Sequence, residues 1–210
     1  MVKLYYTPTS CGASSFISAF IAKISLECET VDLGTHTTAS GVDFYTINPK
    51  GNVPAIVLND GTVINENIAC LEYIADLAED DVIAPKNGSN ERYVVKQVLS
   101  YVASELHATI SLFFNPKSKE ENIREFLLPI FERKMKYLQE RILSSDRTFA
   151  FGNSFTIADS YLHIMLSWLG YVGLTLSDYP VAEQYYKSIC ELPYVLEAKS
   201  RISEKPSTTF

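Results

Sequence analysis

Apolar positions along the 210-residue chain change their period once: up to about residue 78 strand and helix spacings alternate, and beyond about residue 90 only helix spacing remains. Residues 2–6 form a β-branched and aromatic run, after which Phe16, Ile17, Phe20, Ile21 and Ile24 recur at helical intervals behind Gly12-Ala13-Ser14. A strand, a tight loop and a helix are predicted. Residues 27–33 alternate as a second strand, residues 41–47 suit a short helix, and Asn48-Pro49-Lys50-Gly51 is turn chemistry. Residues 55–58 and 62–65 flank Asn59-Asp60-Gly61 and read as a hairpin. Ile68, Leu71, Ile74, Ala75 and Leu77 then make one apolar helix face.

The order βαβ-α-ββα matches a thioredoxin-like half, placed at residues 1–78. A charged and then Pro/Gly-containing interval, residues 79–89, reads as a linker to an all-helical domain at residues 90–210. There Val94, Val95, Val98, Leu99, Val102, Leu106, Ile110 and Phe113 form one long stripe, and a second helix spans about 120–143. Thr156-Ile157-Ala158-Asp159 has capping-box spacing before residues 160–177, which carry no charged side chain. That run contains His163, Gly170 and Gly173 and lacks flanking cations, so a helix buried on most sides is expected rather than a membrane span. Two more helices are expected at 181–190 and 193–203, with a polar tail after them. The expected class is therefore α+β, a thioredoxin-like domain followed by an all-α helical bundle.

Composition narrows the function. With 47% apolar and 20% charged residues the chain builds an ordinary core, and its net charge of -7 argues against sequence-independent binding to nucleic acid. An anionic ligand must be held by local groups. Cys11, Cys28, Cys70 and Cys190 are far apart, without a C-x-x-C pair or histidines at metal-ligand spacing, so no metal is expected. The opening residues lack the pattern of a signal peptide, and cytoplasmic residence is the expectation.

Three constellations carry chemistry. Cys11, in Thr7-Pro8-Thr9-Ser10-Cys11-Gly12, should stand at the amino end of the first helix, where N–H groups favour a thiolate. The other cysteines suit small apolar fillers. Ser14 makes the motif Cys-x-x-Ser, which allows a mixed disulfide with an external thiol but no internal cycle. Ser100, Ser104, His107 and Ser111 are spaced to share one helix face, a solvated or close-packing surface unless His107 serves a thiol proton. Val53-Pro54 before a strand offers backbone to an extended peptide, and Glu66-Asn67 at a helix start offers N–H groups to a carboxylate and a side chain to an ammonium. Each of the last two is also an ordinary structural choice.

Together these residues resemble the cytosolic glutathione transferases, most closely the bacterial beta class. The resemblance rests on Lys3-Leu4-Tyr5-Tyr6, on the run from Asn48 through Pro54 to Ala55, and on Asp60-Gly61-Thr62. In the helical half it rests on Ala103-Ser104-Glu105-Leu106-His107 and Gly152-x-x-Phe155-Thr156-Ile157-Ala158-Asp159. It implies that glutathione, as co-substrate, lies extended along Val53 beside a cis Pro54, with Glu66 and Asn67 at its γ-glutamyl end. It further implies a cysteine at Cys11 near the glutathione sulfur, a histidine at His107 reaching across from the second domain, Ser104 on the same wall, and Phe113, Phe114 and Trp168 near a hydrophobic electrophile. A homodimer is implied as well.

Three positions depart from the beta-class pattern: His36 stands where a lysine meets the glycine carboxylate, Asn67 where a serine or glycine is usual, and Ser100 where an asparagine is usual. The first removes a charge-assisted contact. The leading expectation is a detoxifying glutathione S-transferase that presents the glutathione thiolate to hydrophobic electrophiles, with no metal. The alternatives are a thiol transferase or dehalogenase using Cys11, and a non-catalytic binding protein on the same fold.

Overall fold

The computed structural model describes residues 2–79, 81–143 and 147–202. The chain forms two compact units, residues 1–87 with 192–210 and residues 88–191.

The first unit is built on a five-stranded sheet of order β3-β2-β1-β4-β5. Its strands are β1 (Lys3–Tyr6), β2 (Glu27–Asp32), β3 (Thr37–Thr38), β4 (Ala55–Val57) and β5 (Val63–Asn65), and its first helices are α1 (Gly12–Ile21) and α2 (Asn67–Leu77). β1 and β2 run parallel because α1 crosses between them; β4 pairs antiparallel with β1 and β5. Period-two alternation divides the strands between two faces. Tyr5, Val31, Ala55, Phe44 and Val53 cluster on one side, whereas Tyr6 stacks on Phe16 of α1 at 4.9 Å on the other. The hairpin turns at Asp60-Gly61, where Gly61 takes φ +87° and the Asp60 carboxylate accepts from Thr62 N–H at 2.9 Å.

Two expectations change here. The segment read as a short helix at 41–47 holds only a 3₁₀ turn, Phe44–Thr46, and the two-residue strand β3 precedes it. Phe44 alone is fully buried there, which is too little apolar anchoring for an α-helix, and Asp43 caps the turn through Tyr45 N–H at 3.0 Å. Within the interval expected as a linker, residues 81–87 group with the first unit, and Ile83 and Ala84 are buried, at 0% and 4% exposure.

In the second unit α3 (Asn90–Tyr101) runs through a π-helical turn, Val102–His107, into α4 (Ala108–Phe113). The turn is set by bonds such as Ala108 N–H to the Ala103 carbonyl, five residues back. α5 (Glu121–Tyr137) ends in a second π turn, and α6 (Ile157–Ser167) and α7 (Pro180–Glu191) complete the unit. Residues 157–166 of α6 are all buried. Among the described residues no helix is long and apolar enough to cross a membrane. The capping box forms, and the Asp159 carboxylate also accepts from Ala150 N–H and the Tyr185 hydroxyl, each at 2.8 Å.

The last helix, α8 (Pro193–Arg201), was expected with the helical domain but groups with the first unit. It packs on α1, burying Val195 and Ala198, and the Tyr6 hydroxyl donates to the Ile202 carbonyl at 2.8 Å. Covering α1 removes more apolar surface from water than a free amphipathic helix does. Ser203 and the polar tail lie outside the described residues.

Candidate active site

In the first unit the loop after β1 is tied down before α1 begins. Ser10 N–H and Oγ both bond the Thr7 carbonyl, at 3.0 and 2.8 Å, and Thr7 Oγ1 donates to Val31 O at 2.6 Å. Gly12 lets the helix start approach Pro54, whose Cβ would lie 3.4 Å from any added Cβ. Cys11 therefore faces the Val53–Pro54 segment, where the peptide bond is cis, and its Sγ donates to the Val53 carbonyl at 3.4 Å. Burial pushes the Cys11 thiol up to about 12, against the Cys11 and Gly12 N–H groups that pull it down; the Glu66 charge adds to the rise. Desolvation thus opposes the thiolate that the helix-terminal N–H groups favour.

Behind it, the Asn67 side chain is 7% exposed and used up within the fold. Its Nδ2 donates to Ser14 Oγ at 3.0 Å, and Oδ1 accepts from Ser15 Oγ at 3.1 Å. Ser14 also donates to the Cys11 carbonyl at 2.7 Å. The Asn67 side chain staples α2 to α1. Glu66, just before it, sits at φ +72°, a conformation costly for a residue with a Cβ, and its exposed carboxylate pairs with Lys50 Nζ.

Sequence reasoning treated Asn48 only as a turn residue. Fully buried, it donates to Asn52 O at 2.7 Å and accepts from Lys50 N–H at 3.2 Å and Asn65 Nδ2 at 3.3 Å, holding the turn against β5. His36 lies beside that turn at φ +52°, its ring 4.5 Å from Tyr45 and its Nδ1 buried without a hydrogen bond. Gly51, at φ +70°, is required there because an added Cβ would come within 2.5 Å of the Tyr45 ring.

In the second unit the π turn alters the helical face that regular spacing implies. Its winding is wider than the 3.6-residue row on which Ser100, Ser104 and His107 were expected to align. Ser100 and Ser104 are exposed, and Ser104 Oγ donates to the Ser100 carbonyl at 2.8 Å. His107 meets a different set: Nδ1 lies 2.6 Å from the Tyr161 hydroxyl, and Trp168 stands edge-on to the ring at 5.1 Å. Trp168 in turn meets the half-exposed Phe114 edge-on at 5.4 Å. Phe113 does not join them. It is 4% exposed and packs on Phe131, because neighbouring residues on a helix point about 100° apart. Tyr161 went unnoticed in the sequence, where it is one apolar position among many in α6.

Among the described residues no group of three His, Cys, Asp or Glu side chains is placed to hold a metal ion. A cavity of about 490 Å³ elsewhere in the second unit, lined by Leu143, Arg147, Val181, Gln184 and Ser188, includes none of the predicted site residues.

Known proteins supply the family. Models of the glutathione S-transferase N-terminal and C-terminal domains match residues 17–77 and 104–200. Glutathione S-transferase GstA of Escherichia coli O157:H7 is 34% identical over 95% of this chain and 98% of its own length. The chain belongs to the glutathione S-transferase family. A sphingomonad glutathione S-transferase complexed with glutathione superposes with TM-score 0.87 at 32% identity, covering 96% of this chain and 99% of that one. A bacterial beta-class transferase from Sphingomonas chungbukensis gives TM-score 0.85 at 32% identity over 96% and 98%. The family's fold, a thioredoxin-like sheet with helices and then a helical domain, is the one observed, and the beta-class likeness holds in structure as well as sequence.

Proposed function

We propose that this protein conjugates the thiolate of glutathione to hydrophobic electrophiles. The observation that carries the reading is a convergence within the first unit. Residues from 11 to 67 meet at one end of the sheet, with the Cys11 thiol on the Val53 carbonyl and Asn67 tied to Ser14 and Ser15 behind it. An extended peptide pairing with the backbone at Val53, before Pro54, adds a strand at that place. Glu66 takes the ammonium of the γ-glutamyl group in place of Lys50, and the Asn67 N–H takes its carboxylate. His36 is the proposed neighbour of the glycine end. From the helical unit we assign His107 as the second catalytic residue and Ser100 and Ser104 as further glutathione contacts. Phe114 and Trp168 receive the electrophile; Phe113 supports them from the core.

The chemistry is the displacement of a leaving group by sulfur. A carbon–sulfur bond forms, the bond to the leaving group breaks with its electron pair, and the glutathione thiol proton passes to water. The protein's part is to favour the thiolate with preformed N–H donors and to hold it against an apolar partner. The burial that raises the Cys11 pKa supports glutathione, rather than the protein, as nucleophile. Cytoplasmic residence and a homodimer belong to the same proposal, the latter checked by sedimentation equilibrium.

The test is conjugation of glutathione to a generic aromatic halide at neutral pH. Turnover no faster than that of free glutathione at the same concentration would remove the proposal. Replacing Cys11 by alanine distinguishes the nucleophile: conjugation persists if glutathione attacks, whereas a thiol transferase or dehalogenase using Cys11 stops.

A further inference from the structure

We infer that the cavity between Leu143, just after the π turn that ends α5, and one face of α7 is a binding site for a small organic monocarboxylate with an aromatic or alicyclic body, held by Arg147. The inference lies wholly within the second unit and does not depend on the proposed conjugation. The cavity holds about 490 Å³, inside the range of roughly 300–1,000 Å³ usual for small-molecule sites and far more than an inorganic anion fills. Its walls are fixed by the fold. Leu143 is 2% exposed, and its N–H bonds the Leu138 carbonyl at 2.8 Å, closing the π turn. The other wall is α7, where Val181, Gln184, Tyr185 and Ser188 recur at helical spacing along one face. The Tyr185 hydroxyl, bonded to the buried Asp159 at 2.8 Å, holds that face in place.

The lining divides by chemistry. Tyr185 gives its hydroxyl to Asp159, and Ser188 Oγ donates to the Tyr185 carbonyl at 2.8 Å, so these two join Leu143, Pro180 and Val181 in offering a ligand mainly hydrocarbon. Arg147, Thr148 and Gln184 differ. Among the described residues none of their side chains takes part in a hydrogen bond or an ion pair. Although the chain carries a net charge of -7, no described lining residue is acidic, and the one charged group is the Arg147 guanidinium. Its planar fork presents paired donors that match the two oxygens of a carboxylate, and the neighbouring hydroxyl and amide supply further donors. One cation with neutral donors balances one negative charge, so a dianion would be left partly uncompensated. The hydrocarbon lining in turn selects a carboxylate with an apolar body, because only such a ligand takes that surface out of water.

The probe is 2-naphthoate at neutral pH, followed through the side-chain amide signals of Gln184 in nitrogen–proton NMR of the full chain and assigned by their loss in Gln184→Met. These signals should shift on titration with a Kd on the order of 0.1–1 mM, the affinity expected for a rigid ligand of this size. Arg147→Gln, a change at an exposed position, should weaken 2-naphthoate about tenfold. Uncharged 2-naphthamide should bind the wild type about tenfold more weakly than the acid and be indifferent to that substitution. Acetate, which keeps the charge and lacks the apolar body, should bind at least about tenfold more weakly than 2-naphthoate. Unshifted Gln184 signals at about 5 mM 2-naphthoate, or equal affinity in the wild type and Arg147→Gln, overturn the inference. So does acetate binding as well as 2-naphthoate, which would reduce the site to a surface cation. The measurement reads binding alone, so a failure of the proposed conjugation leaves it unaffected.

Discussion

Glu29 in the sheet and Asp159 among the helices are both carboxylates shut away from water, at 2% and 0% exposure, and the two units treat them differently. Glu29 has a cation: Lys3 Nζ lies 2.6 Å away, diagonally across the β1–β2 pairing, and Ser40 N–H adds a bond at 2.7 Å. Although burial raises its pKa, these partners hold it at about 2. Asp159 is bound instead by four uncharged donors, Ala150 N–H, Thr156 N–H, Thr156 Oγ1 and Tyr185 O–H, and burial pushes its pKa up against their pull. The candidate reactive groups divide in the same way. Cys11 is held by main chain from neighbouring segments, whereas His107 depends on a phenol 54 residues away. Glu29 is thus matched by a cation that strand register places, and Asp159 by donors that the capping box and the packing of α7 bring to it.

The largest expected effect tests the helical side of that contrast. Asp159→Ala leaves several buried donors without an acceptor and should destabilise the second unit by roughly 3–4 kcal/mol in urea denaturation. A loss under about 1 kcal/mol would mean that water or neighbouring carbonyls replace the carboxylate.

Next is the pH dependence of Glu29. Its folded pKa, about 2, lies below the unfolded value, so its contribution is present above about pH 4.3 and is lost as pH falls toward about 2. That contribution is at most about 3 kcal/mol. Glu29→Gln should flatten the acid limb of the stability profile; an unchanged limb would show that Lys3 finds equal compensation elsewhere.

Asn67→Ala comes third, with a cost of roughly 1–3 kcal/mol from the serines it leaves behind. Glutathione affinity by calorimetry should be nearly unchanged, because only the Asn67 main chain is assigned to the ligand. An affinity loss with unchanged stability would reverse that division.

The smallest effect sharpens the aromatic wall. Trp168→Ala should raise the KM for the electrophile by about tenfold, equivalent to about 1.4 kcal/mol, and leave the KM for glutathione alone. A matched rise in both constants would show that Trp168 supports His107 more than it meets the electrophile.

Most of what was legible in the sequence is local. The Asp60-Gly61 hairpin, the Asn48-Pro49-Lys50-Gly51 turn and the Thr156–Asp159 capping box each bond groups a few residues apart, so composition and spacing carry the information. The strand β3 was missed because two residues cannot display a period, and the burial of Phe113 against Phe131 was not legible because it depends on packing between helices. The thiolate expected at Cys11 followed from the helix terminus alone, without the desolvation that the folded loop imposes.

By itself the sequence determined most of the order of elements, the change from alternating to helical architecture, and the residue types at the proposed glutathione positions, because period, turn chemistry and motif spacing are properties of the chain. Tertiary structure alone decided which unit α8 joins, how the π turn aims His107, and that Tyr161 and Trp168 enclose its ring. Those outcomes depend on contacts between distant segments, whose geometry is fixed only when apolar faces pack and buried polar groups find their partners.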